Sequence, residues 1–159
     1  MQKLIGIIAA TLLLGACSSI DCPLNRTVLT KFRLAGEVTR LTDTLTLSVA
    51  RGDGNDTVLL NKALPTDSFT LPLSYSYDSD IFYIEVHPEG QEATIDTLTI
   101  TKSNEPHFEA IDCPPSVFHT ISAVTTTHHR IDSVVINHPK VSYDSSKPHL
   151  LIYFKTSIH

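Results

Sequence analysis

The sequence has no tryptophan, a single methionine and only six glycines in 159 residues. Four of the glycines (Gly36, Gly52, Gly54, Gly90) lie beyond residue 16. A chain so poor in glycine has no GxSxG nucleophile elbow and no phosphate-cradling loop, and no SxxK pair appears either. CxxC, HExxH and HxH elements are also missing, which removes the common signatures of thiol redox chemistry and of zinc hydrolases. Basic residues are in deficit: the formal net charge is −5, and no cluster of Lys and Arg forms. Nucleic acid is therefore not an expected partner. The lack of Trp and the modest aromatic content weaken the case for a sugar-stacking platform. These absences together predict a protein that is not an enzyme and carries no cofactor.

Charge is also missing from the first 16 residues, MQKLIGIIAATLLLGA, apart from Lys3. One cation before an apolar run, Leu4 to Leu14, is the pattern of a secretory signal. About 11 apolar residues are too few to span a bilayer. The run closes on Leu14-Gly15-Ala16-Cys17, which resembles the bacterial lipobox. The alternative is an ordinary signal with a chance Cys beside its cleavage site, but Leu, Gly, Ala and Cys all fall at the expected places. The expectation is cleavage after Ala16 and diacylation of Cys17. Each buried methylene contributes about 0.8 kcal/mol to membrane attachment, so several acyl chains tether the protein for good.

With Cys17 assigned to lipid, Cys22 and Cys113 remain as an even pair in an oxidising compartment. Each sits in the tetrapeptide Ile-Asp-Cys-Pro. A bridge would close a loop of about 90 residues, worth roughly 4–5 kcal/mol on chain-entropy grounds. Two buried free thiols are the alternative. The segments after the two tetrapeptides do not align, so they do not mark an internal duplication.

The organisation read from the sequence is a signal peptide at 1–16, a lipidated tether at 17–24 and one domain at 25–159. In Asp43-Thr44-Leu45-Thr46-Leu47-Ser48-Val49 the aliphatic residues alternate with polar ones, the period of a half-buried strand. The Gly/Asp/Asn cluster at 51–56 and the run Thr57-Val58-Leu59-Leu60 then make a hairpin. Further strand-like runs are 27–35, 68–73, 80–87, 95–102, 106–111, 117–125, 130–137 and 149–155, separated by turn residues. No stretch repeats at 3.6 residues. The expected fold is all-β: a single antiparallel β-sandwich, immunoglobulin-like or jelly-roll-like, of about 9–10 short strands.

Three patterns bear on chemistry. Of eight histidines, six fall between His107 and His149. His119, His128, His129 and His138 suit zinc or copper. However, His128 and His129, as neighbours on a strand, would face opposite ways, so surface and turn histidines are the preferred reading and no metal site is assigned. Asp53-Gly54-Asn55-Asp56 lacks the ligand spacing and the closing Glu of a calcium loop, and a turn explains it better. Finally, an Asp-hydroxyl-aliphatic triplet occurs at Asp43-Thr44-Leu45, Asp56-Thr57-Val58, Asp96-Thr97-Leu98 and Asp132-Ser133-Val134. About one would arise by chance in this composition. The triplet resembles the O-glycosylation acceptor of Bacteroides-type bacteria, which makes Thr44, Thr57, Thr97 and Ser133 candidate acceptors. A turn Asp followed by a strand-opening Thr accounts for the same pattern structurally.

Several stretches together resemble a family of uncharacterised small lipoproteins of Bacteroides-type bacteria, a domain of unknown function. They are Ile20-Asp21-Cys22-Pro23-Leu24-Asn25, the run Asp56 to Ala63, Ser68-Phe69-Thr70-Leu71-Pro72-Leu73, Pro106-His107-Phe108-Glu109, Asp112-Cys113-Pro114-Pro115, Thr127-His128-His129 and Ile131 to Asn137. The resemblance brings no activity. It implies the lipid anchor, the two-cysteine pattern and the glycosylation. Ser18-Ser19-Ile20 after Cys17, with Asp21 alone acidic, is similar to lipoproteins kept on the periplasmic face of the outer membrane. The expected role is a non-enzymatic interaction or accessory module for another envelope protein. The alternatives are a carbohydrate- or metal-binding periplasmic domain, or an envelope enzyme whose site carries no familiar signature.

Overall fold

The computed structural model describes Cys22, residues 27–51 and residues 55–156. The signal segment, Cys17 and most of the 17–24 tether lie outside the described residues, as do Gly52, Asp53 and Gly54 of the hairpin loop. The described residues form ten strands: β1 (Thr30–Ala35), β2 (Thr44–Val49), β3 (Thr57–Ala63), β4 (Ser68–Leu71), β5 (Ser79–His87), β6 (Thr94–His107), β7 (Ser116–Thr126), β8 (Ile131–Ile136), β9 (Lys140–Val141) and β10 (Leu150–Phe154). No helix occurs among the described residues. Two sheets result, a four-stranded one in the order β4-β1-β10-β8 and a six-stranded one in the order β3-β2-β5-β6-β7-β9.

The period-two pattern explains what is buried. Leu45 and Leu47 of β2, Phe82, Ile84 and Val86 of β5, and Leu98 and Ile100 of β6 all lose contact with water. Phe32 and Leu34 of β1, Leu71 of β4, and Leu150 and Ile152 of β10 do the same in the smaller sheet. Side chains from both sheets belong to a single apolar cluster. Within it Phe32 and Phe69, directly paired across β1 and β4, stack with ring centroids 4.7 Å apart.

Three expectations need correction. The sequence splits 95–102 from 106–111, whereas β6 runs unbroken for 14 residues. Ser103-Asn104-Glu105 is polar enough to read as a break, yet β7 pairs with every residue from Leu98 to His107 and absorbs the irregularity as a bulge at Thr101/Lys102. Residues 108–111 are therefore loop. Next, β1 and β10 run parallel, with Phe32 opposite Leu150 and Leu34 opposite Ile152, so the four-stranded sheet is mixed rather than antiparallel. These strands come from opposite ends of the chain. No turn sets their direction, and side-chain alternation is the same in either sense. Lastly, β9 has two residues, too few to register as a period.

Chain reversals follow local chemistry. At Pro88-Glu89-Gly90-Gln91, which joins β5 to β6, Gly90 adopts φ 73° and Gln91 N–H donates to the Pro88 carbonyl. The passage from β7 to β8 carries the chain from the six-stranded sheet to the four-stranded one through Thr127-His128-His129-Arg130. Asp96, fully buried on β6, holds that corner. Its carboxylate accepts from the N–H groups of His129 (2.6 Å), Arg130 (2.6 Å) and Ile131 (2.8 Å) and from the Thr127 hydroxyl (2.9 Å). Arg130 also pairs with Asp43 at 2.7 Å, tying the corner to the start of β2.

Candidate functional site

The C-terminal end of β6 gathers the features that the packed core does not explain. Alternation along β6 directs Asp96, Leu98, Ile100 and Lys102 inward, so Lys102 is a buried cation where an aliphatic residue would be expected. Burying an ammonium is costly unless it is paired and fully hydrogen-bonded. Lys102 meets that condition: Nζ lies 3.3 Å from Asp80 Oδ2, and donates to the Ser74 carbonyl (2.8 Å), the Tyr77 carbonyl and Asn104 Oδ1 (2.9 Å). Asp80 in turn accepts from the Ser74 N–H, and Asn104 Nδ2 donates to the Tyr77 carbonyl at 3.0 Å. The β4–β5 loop, 72–78, is thus fastened to β6 through the Lys102 ammonium and the Asn104 amide, and the Lys102 N–H adds a bond to the Asp78 carbonyl at 2.8 Å.

His119 on β7 completes the node. Asn104 Oδ1 is an acceptor, so His119 donates to it from Nδ1 at 2.8 Å, and Nε2 is left as a bare lone pair. That atom is buried without a hydrogen-bond partner. Burial, with the Lys102 charge adding to it, pushes the His119 pKa down to about 4. The ring is neutral at pH 7, and it carries the Tyr75 ring stacked at 6.4 Å.

Beside this node opens a cleft of about 570 Å³, lined by Val49, Arg51, Leu59, Leu73 and Tyr77 and sharing Asp80 with the node. Tyr75 and Tyr77 stand out from the 72–78 loop, 66% and 70% exposed. The β6–β7 loop, 108–115, lies at the same end and carries Phe108 and Ile111, 62% and 99% exposed. Near its base His107, Phe118 and Tyr143 form an aromatic cluster, with His107 stacked on Phe118 at 4.2 Å and Tyr143 edge-on to Phe118 at 5.0 Å. Cys113 of this loop is buried and bonded to Cys22, with the two Cα atoms 5.7 Å apart.

A second, smaller cleft of about 290 Å³ lies between β9 and β10, lined by His138, Lys140, Asp144, Lys147 and His149. His149 is 2% exposed. Its Nδ1 accepts the Lys31 N–H at 2.9 Å, so Nε2 carries the proton. Burial lowers its pKa, helped by the nearby His138, against the opposing pull of Asp144.

The other residues singled out from the sequence are dispersed. His128 and His129 occupy the β7–β8 corner rather than a strand, so alternation does not govern them. Each donates from Nδ1 to a carbonyl, His128 to Asp132 and His129 to Ile95. His119 lies in the node and His138 in the smaller cleft, and no three His, Cys, Asp or Glu side chains converge on a metal position among the described residues. Of the four hydroxyl candidates, Thr44 and Thr97 sit within β2 and β6, strands paired on both sides, while Thr57 and Ser133 lie on β3 and β8, one edge strand of each sheet. Asp96 of the Asp96-Thr97-Leu98 triplet is wholly engaged in the corner. Asp56 meets the Arg51 N–H at 3.3 Å across the hairpin loop. Sequence reasoning missed Lys102 and the exposed aromatic end. The buried even-numbered row of β6 could have revealed the first, and Tyr75-Ser76-Tyr77 within a turn the second.

Residues 44–154 match the family of unknown function DUF6452, and the chain belongs to that family. β1 precedes the matched span, yet it occupies an interior place in the four-stranded sheet. No curated protein and no solved structure matches the chain.

Proposed function

We propose that the protein is an exported lipoprotein, anchored through Cys17 to the periplasmic face of the outer membrane. In this reading it serves another envelope protein as a non-enzymatic accessory module, and its two sheets form a β-sandwich, since one apolar cluster draws on both. The observation that carries the reading is the Cys22–Cys113 bond. A structural disulfide suits an oxidising compartment, as does a leader ending in Leu14-Gly15-Ala16-Cys17. The bond also ties the folded domain to a point five residues from the anchor. Glycosylation belongs to the same reading, with Thr57 and Ser133 the favoured acceptors because edge strands leave room for a glycan. Fractionation of the native host should find the acylated protein in the outer membrane, and crosslinking there should give one discrete adduct with a second outer-membrane protein. A soluble, unacylated chain would end the anchor reading, and an acylated chain that forms no adduct would end the accessory role.

A carbohydrate-binding domain is a second reading, favoured by the cleft at His149, where Lys140, Lys147 and the Nε2–H of a buried imidazole suit an acidic sugar. Titration with a uronic acid should give saturable heat that the variant Lys140→Ala/Lys147→Ala loses. Equal heats from both proteins would remove this reading.

A further inference from the structure

The four most exposed large apolar side chains among the described residues are Ile111, Tyr77, Tyr75 and Phe108. They come from two loops, 72–78 and 108–115, yet share one end of the molecule. Lys102 Nζ, bonded to the Ser74 and Tyr77 carbonyls, places the first loop over residues 102–104 of β6, and the second loop begins where β6 ends at His107. Single exposed apolar residues are ordinary on a protein surface, but four of the largest on adjoining loops are not. The composition is also particular: an aliphatic and a phenyl side chain on the loop that follows β6, and two tyrosines on the loop held over residues 102–104 of the same strand. Tyrosine favours a boundary with one wet and one apolar side.

The disulfide sets which part of the fold lies nearest Cys17. Cys22 is joined to Cys113, two residues after Ile111. Cys22 lies five residues after Cys17, a stretch that spans at most about 18 Å when extended. We infer that the β6–β7 loop is a membrane-contacting element, with Ile111 and Phe108 inserted at the lipid headgroup boundary and Tyr75 and Tyr77 resting at headgroup level. This rests on the acylation of Cys17 proposed above. The lipid anchor then brings the domain to the bilayer, while the loop and the disulfide set its orientation. Strand β6 stands away from the surface, its far end at Thr94 about 40 Å from the loop. Glu109 and Asp112, both exposed on the same loop, oppose contact with strongly anionic lipid, so the fitting surface is a zwitterionic one.

The absence of tryptophan provides the test, because each introduced indole is then the sole emitter. The acylated full-length variants Ile111→Trp, Tyr77→Trp and Ile95→Trp would be placed in phosphatidylcholine vesicles with brominated acyl chains. Ile95 is exposed near the far end of β6 and serves as the reference. Emission from Ile111→Trp should shift to the blue and fall at least about twofold, that from Tyr77→Trp should fall less, and that from Ile95→Trp should stay as it is in buffer, as expected for burial of one loop by 5–10 Å. Intact mass separates the two possible failures. Protein without acyl chains at Cys17 ends the lipoprotein reading and this proposal with it. Acylated protein whose Ile111→Trp emission equals that of Ile95→Trp overturns this proposal alone.

Discussion

Acid should loosen this fold through His119. The ring is 1% exposed, its Nδ1–H is held by Asn104, and the Lys102 ammonium lies close by. Protonation in the folded state is deferred to about pH 4, against an ordinary histidine value of about 6.5 in the unfolded chain. A folded-state pKa below the unfolded one means that the unfolded chain binds the proton first. The stabilisation is therefore complete above pH 6.5 and is lost progressively as the pH falls toward 4. At 1.36 kcal/mol per unit, the loss from His119 between pH 7 and pH 4.5 comes to roughly 2 kcal/mol. His149, with its pKa shifted the same way, adds to the acid loss, so the variant comparison is what isolates His119. Urea unfolding would be followed by circular dichroism at several pH values for the native protein and for His119→Asn, whose side-chain amide can donate from the Nδ1 position without titrating. The variant will differ in absolute stability through its smaller volume, but the informative quantity is the slope with pH. It should lose roughly 2 kcal/mol less than the native protein over that range. Equal slopes would refute the account of a buried neutral imidazole.

Four further outcomes follow from the same structure. Lys102→Met retains much of the stem but strands Asp80 without its cation, and should lower the unfolding free energy by about 3–5 kcal/mol, with Lys102→Met/Asp80→Asn recovering part of it. Burial alone would raise the Asp96 pKa, but the N–H groups of His129, Ile131 and Arg130 and the Thr127 hydroxyl outweigh it and hold it below the usual carboxylate range. Its stabilisation is present above about pH 3.9 and lost as the pH falls through the lowered folded value, so Asp96→Asn, by removing the charge at every pH, should cost about 2–3 kcal/mol at neutrality in urea unfolding and flatten the acid limb below pH 4. Non-reducing peptide mapping should recover the Cys22–Cys113 crosslink, and dithiothreitol should remove roughly 2–5 kcal/mol of stability, whereas free alkylation of both thiols in the native protein would contradict the bond. Protein from the native host should exceed its lipidated mass by whole glycan increments that disappear in Thr57→Ala/Ser133→Ala, and a native mass with no excess would rule the modification out.

How much was legible in the sequence depended on the range of the interaction. Alternation at Leu45, Leu47 and Val49, or at Phe82, Ile84 and Val86, is local: successive side chains on a strand face opposite ways, so the buried rows could be named from residue order alone. The break assumed at Ser103-Asn104-Glu105 was wrong because strand propensity depends on a partner, and β7 supplies one there. The parallel alignment of β1 with β10 was invisible for a related reason, since no short connection constrains it. Lys102 and His119 show the same limit at side-chain scale. Their residue types suggest surface or metal roles, and only the arrival of the Ser74 and Tyr77 carbonyls, Asp80 and Asn104 makes their burial tolerable.

Residue order by itself determined the all-β class, the strand faces and the turn at Gly90, because each rests on contacts within a few residues. Tertiary structure decided the sheet order, the buried ion pair between Asp80 of β5 and Lys102 of β6, the corner built on Asp96 and the gathering of Tyr75, Tyr77, Phe108 and Ile111 toward one end. Those depend on segments far apart in the chain, whose approach is set by the burial of a shared core rather than by any local preference.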